Sequence, residues 1–302
     1  MNLMTITMNK LLPFIFLLVL ITGCGNFVSV KVMRPAEIST AQYKKTAIGN
    51  IFANNSRSND IQTFRTTLLA ALQKKNYFEI IDTRMGMPSG NDVLIINANI
   101  TNSDYNEEVT RGEPYKDKEG KSHVDQRREG THVLNTSYQL NTINGVVVGI
   151  KSTVNESSTS TTATDKVPDG INREQLVLES ITASVNEFLR AIIPYEERVS
   201  VEFMDDKSMP ELKKGIEAAE NGFWDLAITH FSKATAQTKN PLVHYAYYNE
   251  GVAYMYSYDF PKARISLRKA LELKGSESVY KRAYQELDRM ERDEIKLKEQ
   301  RK

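Results

Sequence analysis

The chain has 302 residues, 25% charged and 40% hydrophobic, with a formal net charge of +1 and a single cysteine. That is the composition of a folded protein with room for one large domain or two small ones. The near-zero charge excludes a nucleic-acid-binding field and a general attraction to anionic lipid, and the lone cysteine excludes an internal disulfide.

Leu11 to Cys24 is an apolar run introduced by Lys10. It is shorter than the roughly 20 residues of a spanning helix and matches the h-region of a signal peptide. Met8 is an alternative start to Met1. The run closes in Ile21-Thr22-Gly23-Cys24, which resembles the lipobox of bacterial lipoproteins. That resemblance implies cleavage after residue 23 and diacylglycerol on the Cys24 thiol, with palmitate among the acyl chains. The rival reading is an ordinary signal peptide followed by a chance cysteine. Gly25 in place of Asp implies sorting to the outer membrane, and the lack of an acidic cluster after Cys24 points to its periplasmic face.

Val28–Arg34 alternates apolar and polar residues, as a half-buried strand does, and Pro35 stops it. Thr46–Phe52 is a second short apolar run, and Asn54–Asp60 is a polar loop rich in helix caps. Ile61, Phe64, Leu68, Leu69 and Leu72 recur at helical spacing. Lys74 and Lys75 suit a helix C-terminus. With Phe78–Asp82 as the next strand, the opening reads as a β-α-β unit.

Asp92–Ile100 reads as a buried strand and the charged stretch Asp104–Arg128 as a long exposed loop or hairpin tip. His132–Leu140 and Val146–Thr153 flank Asn144-Gly145, a type I′ hairpin signal. The second strand is able to continue through a Ser/Thr-rich tract to Thr164. Asn172 and Gln175 form a capping box for a helix whose apolar face is Val177, Ile181, Val185, Phe188 and Ile192. Pro194 ends it, and Arg198–Phe203 closes the domain as a strand.

This order, over about residues 28 to 203, resembles the α/β domain of curli-secretion lipoproteins of the CsgG type, of the lipoprotein LpoB and of the amino-terminal domain of TolB. The resemblance implies a mixed sheet with helices.

From Pro210 the pattern becomes helical and repeats. Gly215, Ala218, Ala227, Phe231 and Ala234 recur as Gly251, Tyr254, Ala263, Leu267 and Ala270, offset by 36 residues. A tetratricopeptide repeat has a period of about 34 residues and a similar order of small and bulky positions. The pattern resembles two such repeats, with Glu211 in the first where an aromatic is usual. Ser276–Lys302 forms a last amphipathic helix, charged and frayed at its end, capping the stack. The fold class is therefore α+β: a signal peptide over 1–23, an α/β domain over 24–203 and an all-α repeat array over 209–302.

No phosphate loop, HExxH, CxxC or GxSxG occurs. His123 and His132 lie in or beside the charged stretch without close ligand spacing and read as solvated histidines. Asp92 and Asp104 read as strand-end residues. The sequence therefore implies no enzyme, metal or cofactor. On the repeat register, Tyr245, Tyr248, Asn249, Val252 and Tyr256 face the concave side, which in tetratricopeptide arrays binds peptides, and Tyr247 and Tyr254 face the paired helix. By that resemblance Asn249 holds a peptide backbone. The competing reading packs these tyrosines against the first domain or the final helix.

The expected function is a lipid-anchored outer-membrane protein that binds a protein or peptide partner as a scaffold in envelope assembly or transport. An oligomer is compatible with it, and nucleic acid is not a partner. The alternatives are a subunit of a CsgG-like secretion channel and, last, an enzyme without a local motif. The polar strand candidates argue against a pore, which needs an outward apolar band.

Overall fold

The computed structural model describes residues 26–53, 58–82 and 89–301. Cys24 and the signal segment lie outside them, as does 54–57 of the expected capping loop. In chain order the elements are β1 (Asn26–Arg34), β2 (Lys45–Ala53), α1 (Ser58–Lys75), β3 (Glu79–Ile81), β4 (Val93–Arg111), β5 (Tyr115–Lys116), β6 (Ser122–His123), β7 (Asp125–Thr142), β8 (Val147–Thr164), α2 (Arg173–Ile192), β9 (Tyr195–Phe203), α3 (Pro210–Glu220), α4 (Trp224–Thr235), α5 (Val243–Tyr256), α6 (Phe260–Leu273) and α7 (Ser278–Gln300). The architecture is mixed α/β, followed by helices in the C-terminal part.

One sheet runs β3-β2-β4-β7-β8, and β1 pairs with β9 in a separate ribbon. β2 is parallel to both β3 and β4. Parallel neighbours need a crossover, and α1 supplies it between β2 and β3. β4, β7 and β8 then form an antiparallel meander. The charged stretch from Asp104 is not a loop over its whole length. β4 pairs with β7 out to Arg111↔Gln126, so only the segment around β5 and β6 is a tip. β8 does run on to Thr164.

The turn after β7 departs from the type I′ geometry expected of Asn144-Gly145. Only Gly145 has positive φ, at 79°. Gly145 N–H donates to Thr142 O, Thr142 N–H donates to Val146 O, and the ladder shifts register at Leu140/Asn141. This is a type I turn closed by a glycine bulge.

α1 and α2 cover one face of the sheet. Phe64, Leu68 and Leu72 of α1 and Ile181, Val185 and Phe188 of α2 are buried with Leu94, Ile96, Leu134, Tyr138 and Leu140 from the strands. The Tyr138 and Phe188 rings stack at 4.0 Å between centroids. Several polar groups admitted to this layer are paired, although the buried Thr136 Oγ1 has no hydrogen-bond partner among the described residues. Ser184 Oγ lies 2.8 Å from Tyr138 Oη and 2.7 Å from Thr153 Oγ1. His132 lies between Ser180 at 2.6 Å and Ser103 at 3.1 Å. His132 is thus fully buried, which corrects its reading as solvated. It falls on the inward side of β7, where alternation points every second residue into the core.

The helices α3 to α6 repeat as pairs. A Cβ on Gly215 would sit 2.3 Å from the Phe231 ring, and one on Gly251 would sit 2.7 Å from Leu267 Cγ. Each glycine lets its helix approach the bulky residue of the next. Ala227, Ala234, Ala263 and Ala270 are fully buried for the same reason.

The chain divides into two compact units, the described residues of 26–30 with 200–284 and those of 31–199 with 285–301. This differs from a boundary between 203 and 209, because the later residues of α7 are partners of the α/β unit. Gln300 is buried there and holds the Ala36 backbone through both amide atoms, at 2.9 and 3.0 Å. The end of α7 is therefore anchored, not frayed.

Candidate functional site

The sequence places Tyr245, Tyr248, Asn249, Val252 and Tyr256 on an open groove. The structure corrects their accessibility: all but Tyr245 are buried, and Asn249 has no exposed surface. Spacings of three and four keep Tyr245, Tyr248, Asn249, Val252 and Tyr256 on one side of α5. That side is filled by the protein's own segment after β9. Asn249 Oδ1 accepts from Met204 N–H at 2.9 Å, and its Nδ2 donates to Met204 O at 2.7 Å. Tyr248 Oη donates to Glu202 O at 2.8 Å. The asparagine grips an extended peptide backbone at both polar atoms, and the peptide belongs to the same chain.

The tyrosines are fixed by rings as well. Tyr248 stacks on Tyr280 of α7 at 4.7 Å, and Tyr256 stacks on Trp224 at 5.7 Å. His244 Nδ1 lies 2.7 Å from Tyr280 Oη. Burial pushes the phenol pKa values of Tyr248 and Tyr280 above the ordinary range and the His244 imidazole below its own. These groups stay neutral near pH 7. Tyr247 and Tyr254, expected to face the partner helix, are only half-buried. Behind the row, Glu250 accepts from Ser232 at 2.5 Å and Ser266 at 2.8 Å.

On this other side of α5 a cleft of about 410 Å³ is bounded by Tyr247, Glu250, Ile265, Ser266 and Lys269. Ile265 is 67% exposed there. The α/β unit carries a larger cleft, about 1080 Å³, along β2, β4 and β7, with Arg65 of α1 in its lining. Asn97, Asn99, Ser137, Gln139 and Asn141 line it. Asn97 is already engaged, donating to Asn141 Oδ1 at 3.0 Å and accepting from Asn50 N–H at 2.9 Å.

Two charged constellations escape sequence reasoning. Arg34 is buried and donates to Glu197 at 2.7 Å, Glu286 at 2.7 Å and Asp293 at 3.1 Å. Burial opposes its charge, but its hydrogen bonds to Glu286, Glu197 and Asp293 outweigh burial and raise its pKa. No local signal marks these partners, which lie 163 to 259 positions away. At the hairpin tip, His123 lies between Asp165 at 2.7 Å and Asp117 at 3.0 Å. Among the described residues no group of three or more His, Cys, Asp or Glu side chains is arranged to hold a metal.

No family model matches this chain, and no curated protein matches it either. Among solved structures it is similar to a PelC dodecamer from Paraburkholderia phytofirmans, at 13% identity over 55% of this chain and 96% of that one, with a TM-score of 0.28. A variant of the same dodecamer aligns at 12% identity over 54% and 96%, again at 0.28.

Proposed function

We propose that this chain is a lipid-anchored protein of the bacterial outer membrane, facing the periplasm, that serves as a protein- or peptide-binding scaffold. In this reading α3 to α6 are a tetratricopeptide-like array and the α/β unit is of the CsgG and TolB amino-terminal kind. The observation that carries it is the grip of Asn249 on Met204. Both hydrogen bonds go to main-chain atoms, so the helical surface holds extended backbone irrespective of side chain. Residues 202 to 204 are the resident guest on that face, and a partner segment docks on the other side of α5, in the cleft bounded by Tyr247, Glu250 and the exposed Ile265. Paired Gly215–Phe231 and Gly251–Leu267 contacts support the repeat reading.

The channel alternative gains one observation. β4, β7 and β8 have 18 or 19 residues each, more than the 9–11 a spanning strand needs. Their solvent side counts against it. Asn102, Asp104, Asn106 and Glu108 are exposed along β4, where a lipid-facing row must be apolar. No helix among the described residues is long and apolar enough to cross a membrane.

The test is capture from detergent-solubilised envelopes with the full chain, the Cys24→Ala chain and an Ile265→Asp chain. The scaffold reading expects defined partners with the native chain that are lost with Ile265→Asp. An identical set of captured proteins from native and Ile265→Asp chains would overturn it.

A further inference from the structure

β8 is an edge strand of 18 residues whose second edge no other strand covers among the described residues. Edge strands expose a row of free N–H and C=O groups, and proteins usually blunt them with lysine, proline, bulges or brevity. The other edges of this sheet are blunted. β3 has three residues. Beyond its pairing with β2, which ends at Ala53↔Ile100, β4 carries exposed Asp104, Glu108 and Arg111.

β8 has none of these devices from Ser152 onward. It reads Ser-Thr-Val-Asn-Glu-Ser-Ser-Thr-Ser-Thr-Thr-Ala-Thr, without proline or lysine and with one acidic residue, Glu156. Lys151 points to the helix-covered side and is tied to Glu37 at 2.9 Å. The opposite side presents Ile150, Ser152, Val154 and Glu156, because alternate residues share a face. Ile150 is 60% exposed and Val154 is 70% exposed. Two aliphatic side chains are thus held in water on an open strand, either side of Ser152.

We propose that two copies of this chain pair through β8, antiparallel, about a two-fold axis at Ser152. A two-fold axis perpendicular to the sheet keeps each strand's faces aligned, so the register is fixed by the side chains. Placing Ser152 opposite its own copy sets Ile150 of each chain opposite Val154 of the other. The four exposed aliphatic groups then close on one another. β8 bulges at Val148, between Val147 and Gly149, so the regular overlap runs over residues 149–155 of both copies, giving on the order of six backbone hydrogen bonds. No like charges meet directly within it, and Glu156 lies just beyond its end. Moving the axis to Glu156 would set the two glutamates face to face, which is destabilising. An interface of this kind is isologous, as in most homodimers.

The test uses the full chain with Cys24→Ser, so that an introduced thiol is the only one. Directly opposed residues have Cα atoms about 4.5–5.5 Å apart, within disulfide reach. Ser152→Cys is expected to form a covalent dimer on mild oxidation. Ser158→Cys shares its face, but its copy lies about 40 Å away at ~3.3 Å per residue, and it is expected to remain monomeric. By light scattering the Cys24→Ser chain is expected to be a dimer, and addition of Val154→Lys, at an exposed site, to yield a folded monomer with unchanged circular dichroism. A monomeric Cys24→Ser chain, a dimer that persists with Val154→Lys, or equal cross-linking at 152 and 158 would each overturn the proposal. So would a larger assembly in which Ser152→Cys does not link.

Discussion

Arg34 and Glu286 are 252 positions apart in sequence, and their side chains meet at 2.7 Å. The guanidinium is buried, and Glu197 and Asp293 complete its shell. Arg34→Met would leave three carboxylates converging on an apolar side chain. Removing one member of a buried ionic network costs roughly 3–5 kcal/mol. Here about 3 is expected, because Glu197 and Glu286 still reach water. Urea unfolding measures it, and a loss below about 1 kcal/mol would show that the cluster is only a surface network.

Tyr248 and Asn249 should behave as core residues. Tyr248→Ala removes a stacked, 2%-exposed ring and should cost about 3–5 kcal/mol. Tyr248→Phe loses only the bond to Glu202 O and should cost about 1 kcal/mol. Asn249→Ala orphans both main-chain groups of Met204 and should cost about 2 kcal/mol or more. Thermal melts of the three variants should follow that pattern, and a Tyr248→Ala melt matching the native one would return this residue to the solvent-exposed groove.

Ala263→Leu and Gly251→Ala should both overpack the α5–α6 contact. Ala263 is fully buried, and a Cβ at 251 would meet Leu267 at 2.7 Å. A cost of about 1–3 kcal/mol is expected for each. Gly251→Ala combined with Leu267→Ala should recover part of the loss, and the double-mutant cycle reads the coupling directly.

The two histidines of the α/β unit should respond to pH in opposite senses. Hydrogen bonds to Asp165 and Asp117 raise the pKa of His123 above the ordinary 6.5. Its contribution is complete below the unfolded value and is lost as pH rises through the folded one. Above that pH one ring nitrogen turns a lone pair toward a carboxylate, and the tip should loosen. Burial lowers the pKa of His132, so the unfolded chain takes up a proton the folded chain refuses as pH falls through about 6.5. Acid should therefore destabilise the core while the tip holds. Ring-proton NMR titration gives both values, and hydrogen exchange at Val124, whose N–H donates to Asp165 at 2.8 Å, reports the tip. A His123 titration below 6.5 would refute the clamp.

Cys24→Ala should abolish palmitate incorporation and leave the preprotein uncut. Metabolic labelling decides it, and continued labelling of the variant would remove the lipid anchor from the proposed function.

Elements whose determinants are local were legible in the chain. The 3.6-residue spacing of Phe64, Leu68 and Leu72 and the alternation over 28–34 each depend on residues within a few turns, and the repeat that matches Gly215 to Gly251 can be read along the chain at its 36-residue offset. They placed α1, β1 and the helix pairs. The Asn172 cap is local too, and its Oδ1 accepts from Gln175 N–H at 3.1 Å. What fills the face of α5 is not local. Nothing near Asn249 announces that Met204 will occupy it, because backbone atoms of any residue satisfy an amide equally well. Spacing could put five residues on one side of a helix, but only the path of the chain after β9 decided that this side is dry. The same holds for Arg34, whose three carboxylates are supplied by β9 and α7. A charge in an alternating strand reads as solvated until the fold brings partners to it, and burial is a property of what packs over a residue, not of the residue itself.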